Sequence, residues 1–348
     1  MALNSALKPH VSPLSDEDRA LCDAAIFSGS KSFDAASRLL PRDVRTASRA
    51  LYAFCRASDD LVDESGLGRA SITQLQRRLD AIYGGARLTL PCDRAFASVV
   101  GGHAIPRTIP DAMIEGFTWD EDGRVYHTLN DVLDYSARVA STVGVMMALI
   151  MGCTRRDGFA RAADLGLGMQ LTNIARDIGE DAARGRIYLP LDWLGEAGIA
   201  PGALLDGTAD EGAVAQVTAR LLAVADTYYR RALTGLGALP VPCRPAIKSA
   251  AFIYRDIGRE VAAHGYSLTR RAHTSTVRKL ALIARAAATP LQAVRIDPAP
   301  ADRSVAFLVE AACTSVNARG SETGFARLLE LMMTAEERRM STPLRERA

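Results

Sequence analysis

Residues 52 to 64, YAFCRASDDLVDE, place three aspartates and a glutamate directly after an apolar stretch. On a helix that turns about 100° per residue, Tyr52, Arg56, Asp59 and Asp63 share one narrow stripe. The other directions are mostly apolar, and a helix that is apolar most of the way round is buried. The stripe is therefore expected to face an internal cavity, where unpaired carboxylates are costly. Two aspartates four residues apart place their oxygens side by side, an arrangement that a hard cation such as Mg²⁺ accepts.

The residues of this first acidic stripe leave two interpretations open. The stripe either holds a divalent cation or is an exposed helix end at which Arg56 pairs with Asp59. Asp60 points in the neighbouring direction. Orientation of the pair, or contact with an arginine, explains Asp60 as well as metal binding does.

A second acidic stripe lies in GMQLTNIARDIGEDAARGRIYLP, residues 168 to 190. Gln170, Asn173, Asp177 and Asp181 recur at three- and four-residue spacing, so they share one side of a predicted helix. With few nitrogen or sulfur alternatives nearby, this set of oxygen ligands favours magnesium over zinc. Neither acidic stripe has the DxDxDG loop of an EF-hand, which excludes that class of calcium site.

Cationic side chains stand near both stripes. Mg²⁺ held by a few carboxylates keeps coordination positions for substrate phosphates. The side chains that could bind the same phosphates are Lys31, Arg56, Arg176 and Arg186. Two acidic stripes that face each other across a helical cavity predict the ionisation of a diphosphate ester, in which metal ions take up the charge of the leaving group.

Helical patterns dominate the elements that must position these stripes, and strand-like alternation is nearly absent. Ser15, followed by three acidic residues, is a predicted N-cap. The glycines of GLG, residues 166 to 168, are expected to mark a close helix–helix contact. Helices are predicted over residues 15–28, 43–64, 71–83, 110–117, 129–152, 156–182, 210–236, 243–265 and 275–289.

A proline-rich break, RIDPAPADR at 295 to 303, divides the chain in this prediction. Residues 1–295 form one large all-helical domain, and residues 296–348 form a C-terminal helical appendix whose end is disordered. The appendix could pack on the body, mediate a dimer contact or rest on a membrane surface. Truncation after Asp297 is expected to leave both acidic stripes intact. The oligomeric state stays open.

Composition excludes several other classes of protein. The net charge is +2 and the chain has no dense run of lysine or arginine, so nucleic acid is not an expected partner. Six scattered cysteines without metal-type spacing suit a reducing compartment. No GxGxxG motif occurs, so no nicotinamide cofactor is expected.

The sequence also predicts a cytoplasmic location, with a possible peripheral contact at the inner membrane. The N-terminus lacks a signal-peptide pattern. The most apolar stretch, residues 143 to 152, is shorter than the about 20 residues that a membrane span needs.

Six stretches of the chain resemble the squalene and phytoene synthases, the trans-isoprenyl diphosphate synthases that join two diphosphates head to head. Within this family, the sequences of these stretches are most similar to those of the bacterial phytoene synthases. The resemblance implies an all-helical fold around a central hydrophobic channel. The matching stretches are GSKSF (29–33), LYAFCRASDDLVD (51–63), YSARVASTVG (135–144), QLTNIARDIGEDAARGRIYLP (170–190), AAFIYRDIG (250–258) and RRAHTS (270–275).

The resemblance assigns roles to particular residues. Asp59 and Asp63 match the family's first Asp-rich motif, and Asn173, Asp177 and Asp181 match the second, which implies bound Mg²⁺ or Mn²⁺. Further matches are expected to contact the substrate: Arg56, Gln170, Arg176 and Tyr188 in the diphosphate region, Ser30, Lys31, Ser32 and Phe33 in a flap-like N-terminal motif, Tyr254 and Arg271 as further active-site groups, and Tyr52 and Arg186 within the matching stretches. Gly29 stands where relatives that form C30 products often have histidine, and SARVAS lacks a second tyrosine of some relatives.

The reaction that the resemblance implies is the condensation of two molecules of geranylgeranyl diphosphate. The first loses diphosphate, the second attacks the resulting allylic cation to give prephytoene diphosphate, and a second ionisation, rearrangement and proton loss give phytoene. The alternative within the family is a squalene or dehydrosqualene synthase that uses farnesyl diphosphate. A helical protein that binds prenyl lipid or Mg²⁺ without catalysis is a more remote alternative.

Overall fold

Residues 14–64, 66–288 and 295–320 are described in the computed structural model of the chain, and every regular element within these ranges is helical. The predicted all-α fold class is confirmed. The helices are α1 (Asp16–Gly29), α2 (Lys31–Ser37), α3 (Arg42–Glu64), α4 (Arg69–Gly84), α5 (Pro91–His103), α6 (Thr108–Glu121), α7 (Leu129–Ser136), α8 (Thr142–Ile150), α9 (Arg156–Ala183), α10 (Leu191–Glu196), α11 (Pro201–Leu205), α12 (Glu211–Thr234), α13 (Arg244–Ala263), α14 (Thr276–Ala288) and α15 (306–320).

The nine predicted helices agree with the structure to within a few residues, wherever the chain is described. The predicted cap is also confirmed, because the Ser15 side chain accepts a hydrogen bond of 3.0 Å from the backbone N–H of Asp18. Four helices were not predicted: α2, α5, α10 and α11. Three of these four have seven residues or fewer. A helix so short has too few turns to show a periodic pattern.

The long helix α9 carries the second acidic stripe and lies in the centre of the body, where most of its residues are buried. Its glycines permit close approach of the neighbouring backbones. A Cβ atom on Gly166 would lie 2.5 Å from the Cα of Ser141, and one on Gly168 would lie 3.3 Å from the Ala225 carbonyl oxygen. The predicted close helix–helix contact at GLG is therefore confirmed.

A π-helical turn, Ala137–Ser141, joins α7 to α8 in one continuous helix. This helix, Leu129–Ile150, is long and apolar enough to span a membrane, judged by length and composition alone. The apolar stretch of residues 143 to 152 noted in the sequence is only part of it. In the structure 61 % of its most apolar window is buried inside the body. The apolar residues therefore belong to the protein core.

The described part of the C-terminal segment packs into the same hydrophobic core as the rest of the chain. Val305, Leu308 and Ala312 are completely buried there. The Arg161 guanidinium, itself buried, donates from Nη1 to the carbonyl oxygen of Asp297 at 2.9 Å. Residues 321–348 of the predicted helical appendix lie outside the described residues, and the division of the chain at residue 295 stays a prediction.

Candidate active site

The aspartates of both predicted stripes line one polar pocket of about 140 Å³, whereas Arg56 does not line it. Asp59 and Asp63 of α3 lie on one side, and Asn173, Asp177 and Asp181 of α9 lie on the other. The helices α6 and α7 and the loop after α9 complete the polar pocket. Its other lining residues are Val62, Phe117, Asp120, Tyr135, Gln170, Ile174, Arg184, Arg186 and Tyr188.

One carboxyl group in each acidic stripe has a raised pKa. Loss of solvation, followed by the nearby charge of Asp63, raises the pKa of Asp59 to about 6. Loss of solvation and the charge of Asp177 raise the pKa of Asp181 to about 7. Among the described residues, no lysine or arginine lies within 4.0 Å of the Asp181 carboxylate. The polar pocket therefore concentrates negative charge that lacks full compensation.

Arginines balance the other acidic groups. Arg176 contacts both oxygens of Asp177, at 2.7 and 2.5 Å, and Arg271 contacts the same two oxygens at 3.0 and 3.2 Å. Arg186 lies 3.2 Å from Asp63. Guanidinium groups that grip carboxylates in this forked way also match the oxygens of a phosphate.

Arg56 makes its closer contact with Asp60, at 2.6 Å, while its distance to Asp59 is 3.8 Å. Asp60 does not line the polar pocket. In this structure Asp60 therefore serves as the partner of an arginine, which leaves Asp59 and Asp63 facing the pocket.

The donor set fits a hard divalent cation. The buried Oδ1 atom of Asn173 has no hydrogen-bond partner, while its Nδ2 atom donates to Gln170 at 3.3 Å. An orphaned amide oxygen in the pocket that Asp59 and Asp181 also line is the kind of ligand that Mg²⁺ or Mn²⁺ takes. Across the described ranges, no three acidic, histidine or cysteine side chains form a group that could hold a metal ion. Further ligands would thus have to come from substrate phosphates or water, as is usual for Mg²⁺.

Asp120 was not predicted from the sequence, yet it is central to the polar pocket. Tyr188 and Tyr135 donate hydrogen bonds to its two carboxylate oxygens, at 2.7 and 2.8 Å. Loss of solvation raises the pKa of Asp120 to about 6, although these two hydrogen bonds oppose the rise. The sequence contained one indirect signal for such a residue. Tyr188 was predicted to be buried in the site, and a buried phenol needs a hydrogen-bond partner.

An apolar cavity of about 310 Å³ adjoins the polar pocket. Gln170 and Asn173 line both spaces and so form their common border. The aromatic rings of Phe33, Tyr52 and Tyr254 also line the apolar cavity, with centroids 5.2 Å apart for Phe33 and Tyr254. Much of the remaining wall is made of small side chains: Ala36, Ser37, Gly144, Gly158, Ala162, Gly166, Gly235, Ala246 and Ala250.

Within the N-terminal motif, Phe33 lines the apolar cavity, whereas Ser30, Lys31 and Ser32 line neither space. Ser30 instead caps α2, where its side chain accepts a hydrogen bond from the Phe33 N–H at 3.2 Å. The Lys31 ammonium lies 3.6 Å from the centre of the Phe27 ring and is exposed. A role for these three residues at the substrate stays a prediction.

Gly29 leaves room for a neighbouring phenol. A Cβ atom at this position would lie 2.3 Å from the hydroxyl oxygen of Tyr52, which lines the apolar cavity. A larger side chain at position 29, such as histidine, would therefore require the Tyr52 ring to move. The departure from the C30-forming relatives thus bears directly on the shape of the cavity.

An acidic, arginine-rich pocket that opens onto an apolar cavity inside an all-helical body defines an isoprenoid-synthase-type enzyme. The squalene/phytoene synthase family model matches residues 27–278. The phytoene synthase of Rhodobacter capsulatus is 49 % identical over 86 % of this chain and 91 % of its own length. The phytoene synthase of Cereibacter sphaeroides is 44 % identical over 94 % of this chain and 97 % of its own length.

Solved structures agree with this assignment. The crystal structure of a dehydrosqualene synthase superposes with a TM-score of 0.73 at 33 % identity, covering 78 % of this chain and 95 % of that one. A squalene synthase from Alicyclobacillus acidocaldarius superposes with a TM-score of 0.66 at 25 % identity, covering 72 % and 95 %. The chain belongs to the squalene/phytoene synthase family. It is a prenyltransferase that acts on a prenyl diphosphate, in a class of enzymes that typically needs a divalent metal.

Proposed function

We propose that the protein condenses two molecules of geranylgeranyl diphosphate head to head and releases phytoene, the first committed step of carotenoid biosynthesis. The observation that carries this proposal is the shared border of the polar pocket and the apolar cavity at Gln170 and Asn173. A diphosphate can sit among charged groups while its hydrocarbon chain lies in a dry space directly beside them. The similarity to relatives named phytoene synthase supports a C20 substrate.

We further propose Mg²⁺ as the metal, with Mn²⁺ as a substitute. The protein ligands would come from Asp59, Asp63, Asn173, Asp177 and Asp181, with substrate phosphates or water completing the coordination. When bound, the metal neutralises charge on the departing diphosphate.

The arginines of the polar pocket bind and orient the diphosphates. Arg186 lines the pocket and contacts Asp63, whereas Arg176 and Arg271 contact Asp177, which itself lines the pocket. In the first step the C–O bond of one substrate breaks, and its electron pair leaves with the diphosphate. The double bond of the second substrate then attacks the allylic cation, and a proton is lost as the cyclopropane ring of prephytoene diphosphate closes.

The apolar cavity protects the cations from water. Its walls are mostly apolar and admit little water, so a carbocation that enters the cavity can rearrange before water captures it. Phe33, Tyr52 and Tyr254 line the cavity, and their aromatic rings can stabilise positive charge through their π systems. On the other side of the border, Tyr135 and Tyr188 keep their protons on the phenol oxygens and fix the orientation of Asp120.

The proposal is tested with purified protein, Mg²⁺ and either the C20 or the C15 diphosphate, followed by analysis of the extracted lipid. A C40 hydrocarbon should form from the C20 substrate without any reductant, because phytoene arises by proton loss. The Asp59→Asn variant, shown to be folded by circular dichroism, is the inactive control. A C30 product from the C15 substrate alone, or a C40 product only with NADPH, would refute the proposed substrate or product.

Dehydrosqualene synthase is the second candidate, and the similarity to a solved structure of that activity is the observation that favours it. The same assay separates the two, because a dehydrosqualene synthase makes its C30 hydrocarbon from the C15 substrate without reductant. We also propose a cytoplasmic location with peripheral contact to the inner membrane, since the substrates are lipids and the product is insoluble in water.

A further inference from the structure

The segment that includes α14 has an unusual distribution of charge. Between Val261 and Ile296 the chain has six arginine or lysine residues and no aspartate or glutamate. The chain as a whole is nearly balanced, with 42 basic and 40 acidic residues. This basic segment therefore carries a net positive charge that the rest of the chain lacks.

The helix α14 packs against α13 through one side only. Leu282 and Ala286 form the buried side, and Arg278 anchors the helix through a 2.8 Å contact with the buried Asp256 of α13. The opposite side carries Val277 and Leu280, whose exposed fractions are 79 % and 61 %.

The outer face of α14 is apolar throughout. At about 100° per residue, Val277, Leu280, Ala281 and Ala284 share this face, and all four are exposed. Arg278 and Arg285 lie along one flank of this face, whereas Lys279 lies toward the buried side of the helix and is half-buried. The outward side of a helix in a water-soluble protein normally carries charged and polar residues. An apolar outer face with a basic flank is instead typical of a helix that lies in a membrane interface.

We propose that the outer face of α14 docks on the surface of an anionic phospholipid bilayer. The apolar residues would enter the headgroup region, and the basic flank formed by Arg278 and Arg285 would contact lipid phosphates. The absence of acidic residues throughout the basic segment removes the repulsion that would otherwise oppose this contact.

The position of α14 connects this surface to the site. The loop before α14 carries Arg271, which contacts Asp177, and a Cβ atom on Gly179 would lie 1.9 Å from the Leu268 carbonyl oxygen of the same loop. The opposite side of α13 bears Tyr254, which lines the apolar cavity. A single helix thus separates the outer face of α14 from that cavity. The biological meaning of this short path depends on the proposed function, whereas the docking itself does not.

Vesicle binding of the full chain tests the inference without substrate or turnover. Phosphatidylcholine vesicles with and without phosphatidylglycerol are mixed with the protein and sedimented. We expect binding to vesicles that contain phosphatidylglycerol, and weaker binding as salt rises. The double variant Val277→Gln with Leu280→Gln should bind at least about tenfold more weakly, because it removes the two largest apolar groups of the face.

The matched control exchanges two exposed apolar residues on other elements, Leu67→Gln with Val241→Gln, whose exposed fractions are 50 % and 58 %. This control should bind vesicles like the wild type. Equal losses in both double variants, or unchanged binding of the α14 variant, would overturn the inference. So would a wild type that ignores vesicles and instead forms a dimer that the α14 variant breaks. Turnover in detergent, measured separately, reports on the proposed function alone.

Discussion

Replacing Asp181 by asparagine should stabilise the protein when no metal is present. The Asp181 carboxylate lies in the polar pocket beside Asp177, and its pKa is raised to about 7 by loss of solvation and by that neighbouring charge. The ionised form is therefore disfavoured in the folded state. Asparagine keeps the shape and the hydrogen-bonding capacity of the side chain but removes the charge.

The sign of the pH dependence follows from the direction of the shift. An unfolded aspartate has a pKa near 3.9, so between about pH 4 and pH 7 the folded state binds more protons than the unfolded state. The free energy of unfolding of the metal-free protein must then fall as pH rises through this range. A shift of about 3 units corresponds to an upper limit of about 4 kcal/mol. Since the side chain is only partly buried, screening reduces this to about 1–2 kcal/mol.

Thermal unfolding in EDTA at pH 5 and pH 8 measures the effect. The wild type should melt a few degrees lower at pH 8, and Asp181→Asn should remove part of this difference, since Asp59 and Asp120 also have raised pKa values. Added Mg²⁺ should raise the melting temperature of the wild type more than that of the variant. An Asp181→Asn protein that is less stable than the wild type at pH 8 in EDTA would refute this account of the pocket.

The matched control is Asp177→Asn. Asp177 is gripped by Arg176 and Arg271, and Arg176 is only 16 % exposed. Removal of this carboxylate leaves a largely buried guanidinium without its charged partner, which should cost about 2–3 kcal/mol of stability. Two aspartates of the same helix, one turn apart, should therefore shift the melting temperature in opposite directions, although both variants lose turnover.

Three further predictions follow from the contacts of the described residues. Asp120→Asn should lower the rate of product formation about 100-fold or more with little change in the melting temperature, and steady-state assays with thermal melts check both. Truncation after Asp297, which deletes residues 298–348, should give an unstable or insoluble protein, and a truncated variant with the wild-type melting temperature would contradict this. Gly179→Ala should displace Leu268 and the loop before α14, and so raise KM for the diphosphate, whereas Gly195→Ala, which has open space around it, should leave KM unchanged.

The deletion prediction differs from the expectation drawn from the sequence because tertiary contacts hold the C-terminal segment on the body. The break at RIDPAPADR looks like a linker because of its prolines. In the structure its backbone carbonyls are hydrogen-bond acceptors for Arg161 and Arg231, and the Asp302 side chain accepts from Tyr228. No local pattern shows that a buried arginine more than a hundred residues earlier needs these acceptors.

The two acidic stripes could be predicted because their geometry is local. Residues three and four apart on a helix share a face whatever surrounds the helix. That both stripes line one pocket required the apolar surroundings of each helix, and these are also visible in the sequence. Asp120 is different, because WDEDG reads as an exposed acidic helix end. Its burial arises from packing of Tyr135 and Tyr188, which come from two other parts of the chain.

The border between the two spaces suggests why the fold places amides there rather than carboxylates. Gln170 and Asn173 carry strong dipoles but no net charge, so they can turn an oxygen toward a cation and an N–H group toward an anion. A carboxylate at the border would hold a carbocation beside the leaving diphosphate and could capture it as an ester. The amides instead let the anionic groups stay on one side while positive charge moves into the apolar cavity. The buried and unpartnered Oδ1 of Asn173 is consistent with this division, because it leaves one acceptor at the border uncommitted until a ligand arrives.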